Sequence, residues 1–107
     1  MYMYRIIFKH HPKKGQEEAY VKQWQKGSDV IQKQPGARGT KLFLNLNDPG
    51  FFYAMAEWES KDLRDKAIEN IKNNNPDHEE ILHKHTTFVD KTETLGEFEL
   101  IAESNPS

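Results

Sequence analysis

The sequence predicts an α+β domain on the split βαβ, or ferredoxin-like, plan: strand, helix, strand, strand, helix, strand, with an antiparallel sheet. Three observations predict it. Residues 1–9 and 51–58 are short, apolar and aromatic-rich in the manner of strands. Residues 16–34 carry apolar side chains at helical spacing. Asp48-Pro49-Gly50 joins two extended runs at a tight turn. With 107 residues there is room for one core, so we read residues 1–103 as a single domain and 104–107 as a frayed tail.

Taken in order, residues 1–9 place Tyr2, Tyr4, Ile6 and Phe8 on one side and Met3, Arg5 and Ile7 on the other. His10-His11-Pro12-Lys13-Lys14-Gly15 is expected to break that strand. In the first helix Tyr20, Trp24, Gly27 and Ile31 follow at spacings of four, three and four, flanked by Val21 and Ser28. Pro35-Gly36 ends it. The second strand, residues 39–46, sets Leu42, Leu44 and Leu46 opposite Lys41, Phe43 and Asn45. The Asp48-Pro49-Gly50 turn, expected to be type II with a positive φ at the glycine, makes a hairpin with the third strand.

Ser60 is the N-cap of the second helix, and Asp62 places negative charge at its positive end. Leu63, Ala67 and Ile71 form its inward stripe, with Ile68 beside it. Asn73-Asn74-Asn75 halts the helix. Asn75 then caps a short one through about residue 83, with Pro76 in the favoured first position. Residues 86–90 and 96–103 read as extended, separated by the polar 91–94; the last sets Phe98, Leu100 and Ala102 against Glu97, Glu99 and Glu103.

Composition excludes several function classes. Fifteen basic and seventeen acidic residues leave a net charge of −2, which gives no basic face for nucleic acid. The chain has no cysteine, so disulfide and thiolate chemistry are out. No apolar run approaches a membrane span and no signal-peptide core follows the first residues, so the expectation is a cytoplasmic protein with no membrane partner. The first and third strands are apolar on both faces, yet there is helix enough to cover only one. A face carrying groups such as Met3, Ile7, Phe51 or Phe52 should not meet water, so a homodimer joined face to face is expected.

Pro35-Gly36, the hairpin, and then Tyr53-x-x-x-Glu57-Trp58-Glu59-Ser60-Lys61 running into a helix resemble the antibiotic biosynthesis monooxygenase family. The likeness covers most of the chain. It implies a dimeric α/β barrel with one small-molecule pocket per subunit, between sheet and helices. The family includes cofactor-independent oxygenases of anthrone-like or quinol substrates, haem-degrading members and an isomerase. Many members carry a histidine in the second helix where this chain has Ala67. The haem-degrading branch uses an Asn in the first strand and a Trp in the second helix; those positions are Phe8 and Ala67 here, and of its triad only a His, at His83, survives.

Oxygenation without flavin, haem or metal needs a base, a flat apolar slot and donors for the substrate oxygens. The expected catalytic base is His83, beside Ile81-Leu82, and no cofactor is expected. Phe8, Trp24, Tyr53 and Trp58 are the expected walls for a small aromatic or quinol-like molecule, with Asn45 a polar contact. Core packing alone also accounts for these aromatics. His78, His85 and Arg38 are read as solvated. His78-Glu79-x-x-x-His83 does not make a zinc site, because a spacing of five sets the two imidazoles about 140° apart on a helix. The weighed second reading is a non-catalytic dimeric binding module using the same pocket; haem binding through His83 ranks below it.

Overall fold

The computed structural model describes residues 3–82 and 88–106. In chain order these form β1 (Tyr4–Pro12), α1 (Glu17–Ile31), β2 (Ala37–Leu44), β3 (Phe52–Trp58), α2 (Lys61–Asn74), a one-turn α3 (His78–Ile81) and β4 (Val89–Glu99). The strands make one antiparallel sheet in the order β2-β3-β1-β4. This is the expected α+β, ferredoxin-like arrangement.

The central pairing sets the two faces. Tyr4, Ile6, Phe8 and His10 of β1 stand opposite Trp58, Ala56, Ala54 and Phe52 of β3. Directly opposed residues share a face, and alternate residues leave it. This face meets the helices: Tyr4, Ile6 and Trp58 pack with Ile31, Ala67, Ile71 and Ile81, while Ala54 packs with Tyr20, Trp24 and Val89. Arg5, Ile7, Lys9, Tyr53, Met55 and Glu57 therefore share the other face, which no helix among the described residues covers. Phe52 belongs to the covered side and Phe51 stands against His11.

Pro35-Gly36 and Glu-Trp-Glu-Ser meet in space. Gly36 has φ +87°, and a Cβ there would stand 2.7 Å from the Leu63 side chain. Its carbonyl accepts from the Glu59 amide at 2.8 Å. The Ser60 hydroxyl accepts from the Leu63 amide at 3.2 Å and caps α2. The end of α1 is thereby docked onto the first turn of α2.

Four local expectations are corrected. β1 continues past Lys9 to Pro12, because β4 supplies partners: His10 faces Thr92 and His11 faces Lys91. The polar 91–94 segment is accordingly the middle of one strand rather than a connector. A bulge falls between the pairs Phe8–Thr94 and Ile7–Gly96, leaving Leu95 as the extra residue. The insertion reverses the facing: Phe98 stands beside Arg5 on the open side, and Glu97 turns to the helix side, where it accepts from the Tyr4 hydroxyl at 2.5 Å. In the hairpin the Phe51 amide donates to the Asp48 carbonyl at 3.4 Å, but Gly50 lacks a positive φ, so the turn is not type II. α3 begins at His78 with Asp77 in the N-cap position, rather than at Pro76 after an Asn75 cap; the Asn75 side-chain oxygen instead accepts from the Asp77 amide at 2.9 Å. No helix of the described residues is long and apolar enough to cross a membrane.

The junction makes a prediction. Gly36→Ala combines left-handed backbone strain with the Leu63 clash, so urea unfolding should show a loss of about 2 kcal/mol or more. A loss below about 0.5 kcal/mol would contradict this account of the junction.

Candidate functional site

A cavity of about 360 Å³ lies between the covered face of the sheet and the helices. Ile6, Phe8 and His10 of β1 and Ala54, Ala56 and Trp58 of β3 form its floor. Ala54 and Ala56 explain why there is space: buried strands favour branched or aromatic side chains, and two methyl groups between Phe8 and Trp58 leave the middle of the sheet low. From α1 come Trp24, Ser28 and Ile31, spaced four and three, so one helix face supplies all three. From α2 come Arg64, Ile68 and Lys72, each four residues after the last. That stripe runs beside the core stripe of Ala67 and Ile71. Thr92 and Thr94 line the β4 side.

His10 is the titratable group best placed for chemistry. It is 2% exposed, and its Nδ1 lies 3.0 Å from the Thr92 hydroxyl oxygen. Its ring sits 6.0 Å from Phe8 and 5.6 Å from Tyr20, centroid to centroid. Desolvation in this aromatic shell, with a smaller contribution from neighbouring His11, pushes its pKa down to about 4. The imidazole is therefore neutral at neutral pH, with one nitrogen fixed by a threonine. Burial likewise raises the pKa of Tyr20, whose hydroxyl has no hydrogen-bond partner among the described residues.

The structure brings Phe8, Trp24 and Trp58 together around the cavity. It places two other expected contacts elsewhere. Asn45 follows the end of β2, where its side-chain oxygen accepts from the Asn47 and Asp48 amides at 2.8 and 3.0 Å and shapes the hairpin. Tyr53 pairs with Lys9 and Phe43 on the open face and meets the edge of Phe51 at 5.5 Å. Arg38 pairs with Glu59 at the surface. His83 and His85 lie outside the described residues. Among the described residues, no group of three or more His, Asp or Glu side chains could hold a metal ion. Sequence reasoning passed over His10 because it ended β1 at Lys9. One more step of the Tyr4, Ile6, Phe8 alternation lands on it.

The model of the antibiotic biosynthesis monooxygenase family matches residues 3–69. The chain belongs to this family. The matched span holds the floor of the cavity together with Trp24, Ser28, Arg64 and Ile68. No curated protein sequence matches the chain. Solved structures do. A conserved protein from Methanosarcina mazei superposes with a TM-score of 0.74 at 18% identity, covering 92% of each chain. SnoaB, a cofactor-independent oxygenase from Streptomyces nogalater, gives 0.72 at 13% identity, covering 96% of this chain and 95% of its own. A conserved protein of unknown function from Bacteroides thetaiotaomicron gives 0.72 at 10% identity, covering 92% and 98%. At these identities the likeness shows the fold.

His10 also makes a pH prediction. Its folded pKa, about 4, lies below the ordinary value of 6.5, so on acidification the unfolded chain takes the proton first. Its contribution is complete above pH 6.5 and is lost as pH falls toward 4. Between pH 7 and 4.5 the native protein should lose roughly 2–3 kcal/mol more than His10→Gln, measured by urea unfolding. Parallel losses in the two proteins would place His10 in water.

Proposed function

We propose that this protein binds a flat aromatic molecule in the cavity and oxidises it with O₂ without a cofactor, as a monooxygenase of the quinol or anthrone type. The observation that carries this reading is a buried, neutral imidazole lining a slot walled by Phe8, Trp24 and Trp58. The family and the fold shared with a cofactor-independent oxygenase support it. In this reading His10, held by Thr92, takes a proton from the substrate carbon or hydroxyl. An imidazole with so low a pKa is a weak base alone, but an enolate forming against the new imidazolium stabilises it in a dry site. The electron-rich anion reduces O₂, and the two recombine as a hydroperoxide. Loss of water completes CH₂ + O₂ → C=O + H₂O, so the substrate supplies every electron. His83 is the second candidate base.

Oxygen uptake with anthrones and hydroquinones tests this. The native protein should consume O₂, and His10→Gln should be slower by roughly 100-fold, the scale of a positioned base. A His83→Gln variant with that loss, beside an active His10→Gln, would move the base. No uptake, together with saturable quenching of Trp24 and Trp58 fluorescence, would make the protein a binding module.

The active form in this proposal is a homodimer joined through the open sheet face. Members of this family are generally dimers that bind small molecules. Phe43 and Phe98 on this face are each 48% exposed, beside Ile7, Tyr53 and Met55. Sedimentation should give twice the 12.6 kDa chain mass, and Ile7→Glu with Phe43→Glu should give a folded monomer. A native monomer at 50–100 µM (roughly the range where even weak dimers form) would contradict it.

A further inference from the structure

We infer that the cavity is built for an aromatic molecule carrying a carboxylate, and that Arg64 is the residue that recognises the charge. This rests on the reading of the cavity as a small-molecule site and adds the class of ligand.

Among the described residues the cavity is lined by two cations, Arg64 and Lys72, and by no aspartate or glutamate. Both belong to the α2 stripe that has Ile68 between them. Eight residues of helix separate their Cα atoms by about 12 Å, so the apolar length of the cavity is bracketed by positive charge. The two cations are not equal. Lys72 is exposed, whereas the Arg64 side chain is 25% exposed, and a half-buried charge keeps more of its field. A guanidinium also presents paired donors that match the two oxygens of a carboxylate.

The acidic groups near Arg64 do not fill this role. Asp65 meets its Nη1 at 3.2 Å, but Asp65 is the next residue in the chain and its side chain is 50% exposed, a pair worth little in water. Glu97 accepts from the Tyr4 hydroxyl and pairs with Lys61 at 3.4 Å. Neither carboxylate lines the cavity.

Arg64 and His10 also stand at different ends. Arg64 lies in the first turns of α2, which starts just after Trp58, the partner of Tyr4, whereas His10 lies six residues further along β1, about 20 Å of extended chain. Charge recognition is thereby separated from the proton-accepting imidazole. The ligand carries its carboxylate on the side of the ring system away from its ionisable C–H or O–H.

Equilibrium dialysis of 6-hydroxy-2-naphthoate and its methyl ester, near pH 7.5 in low salt, tests the inference with a pair differing in one charge. The native protein should bind the acid roughly tenfold tighter or more, and Arg64→Gln should bring the two within about twofold. Arg64→Lys should keep part of the preference. Equal binding of acid and ester by the native protein overturns the inference and leaves the cavity reading standing. Binding of neither overturns both. A preference that survives Arg64→Gln but disappears in Lys72→Gln overturns the assignment to Arg64. The comparison on the native protein needs no variant to fold.

Discussion

The pairing of β1 with β3 is the constraint from which the rest follows. Strand side chains alternate, so fixing Tyr4 opposite Trp58 also fixes Ile6 over Ala56, Phe8 over Ala54 and His10 over Phe52. A one-residue slip of β1 against β3 would send its four side chains to the other side. Because they face the helices, Trp58 and Ile6 anchor the core, the two alanines leave a hollow, and His10 is carried into an aromatic shell. The same register leaves Arg5, Ile7, Lys9, Tyr53 and Met55 on the opposite face. One register thus sets both the cavity and the surface proposed to join two copies.

The helices complete the cavity because each carries two kinds of stripe. In α1, Tyr20 and Trp24 fill the core, while Ser28 breaks the apolar row just where it meets the hollow. In α2, Ala67 and Ile71 are buried and the neighbouring Arg64–Ile68–Lys72 row looks into the cavity. The Gly36–Leu63 contact and the Gly36–Glu59 hydrogen bond hold the two helices in this relation. That contact gives a physical reason for Pro-Gly and Glu-Trp-Glu-Ser to occur together.

The sequence made the elements legible where one residue type dominates: the aromatic strands, the α1 stripe, the Ser60 cap. It was least informative about β4, whose Asp90-Lys91-Thr92-Glu93-Thr94 is too polar to announce a strand. As the edge of the sheet, β4 is stabilised by backbone pairing with β1 rather than by burial of its own side chains. Two consequences were therefore hidden. The partner that prolongs β1 was not visible, so His10 was assigned to a break, and the Leu95 bulge that moves Phe98 to the open face has no local signature. Asn45 shows a further limit: alternation places it on a face only while the strand lasts, and its side chain instead holds the hairpin amides. Phe8, Trp24 and Trp58 were legible because large aromatics on an inward stripe must meet something, whether core or ligand.

The central claim is that His10 is a buried, neutral imidazole against which the ligand binds. Ring ¹⁵N NMR of histidine-labelled protein, followed through pH 7.5 to 4.5 and then through titration with 6-hydroxy-2-naphthoate, tests it most directly. The account predicts a His10 signal that stays neutral while an ordinary histidine passes through its midpoint near 6.5, and that moves saturably as ligand is added. A His10 that titrates near 6.5 and does not respond to ligand would contradict it.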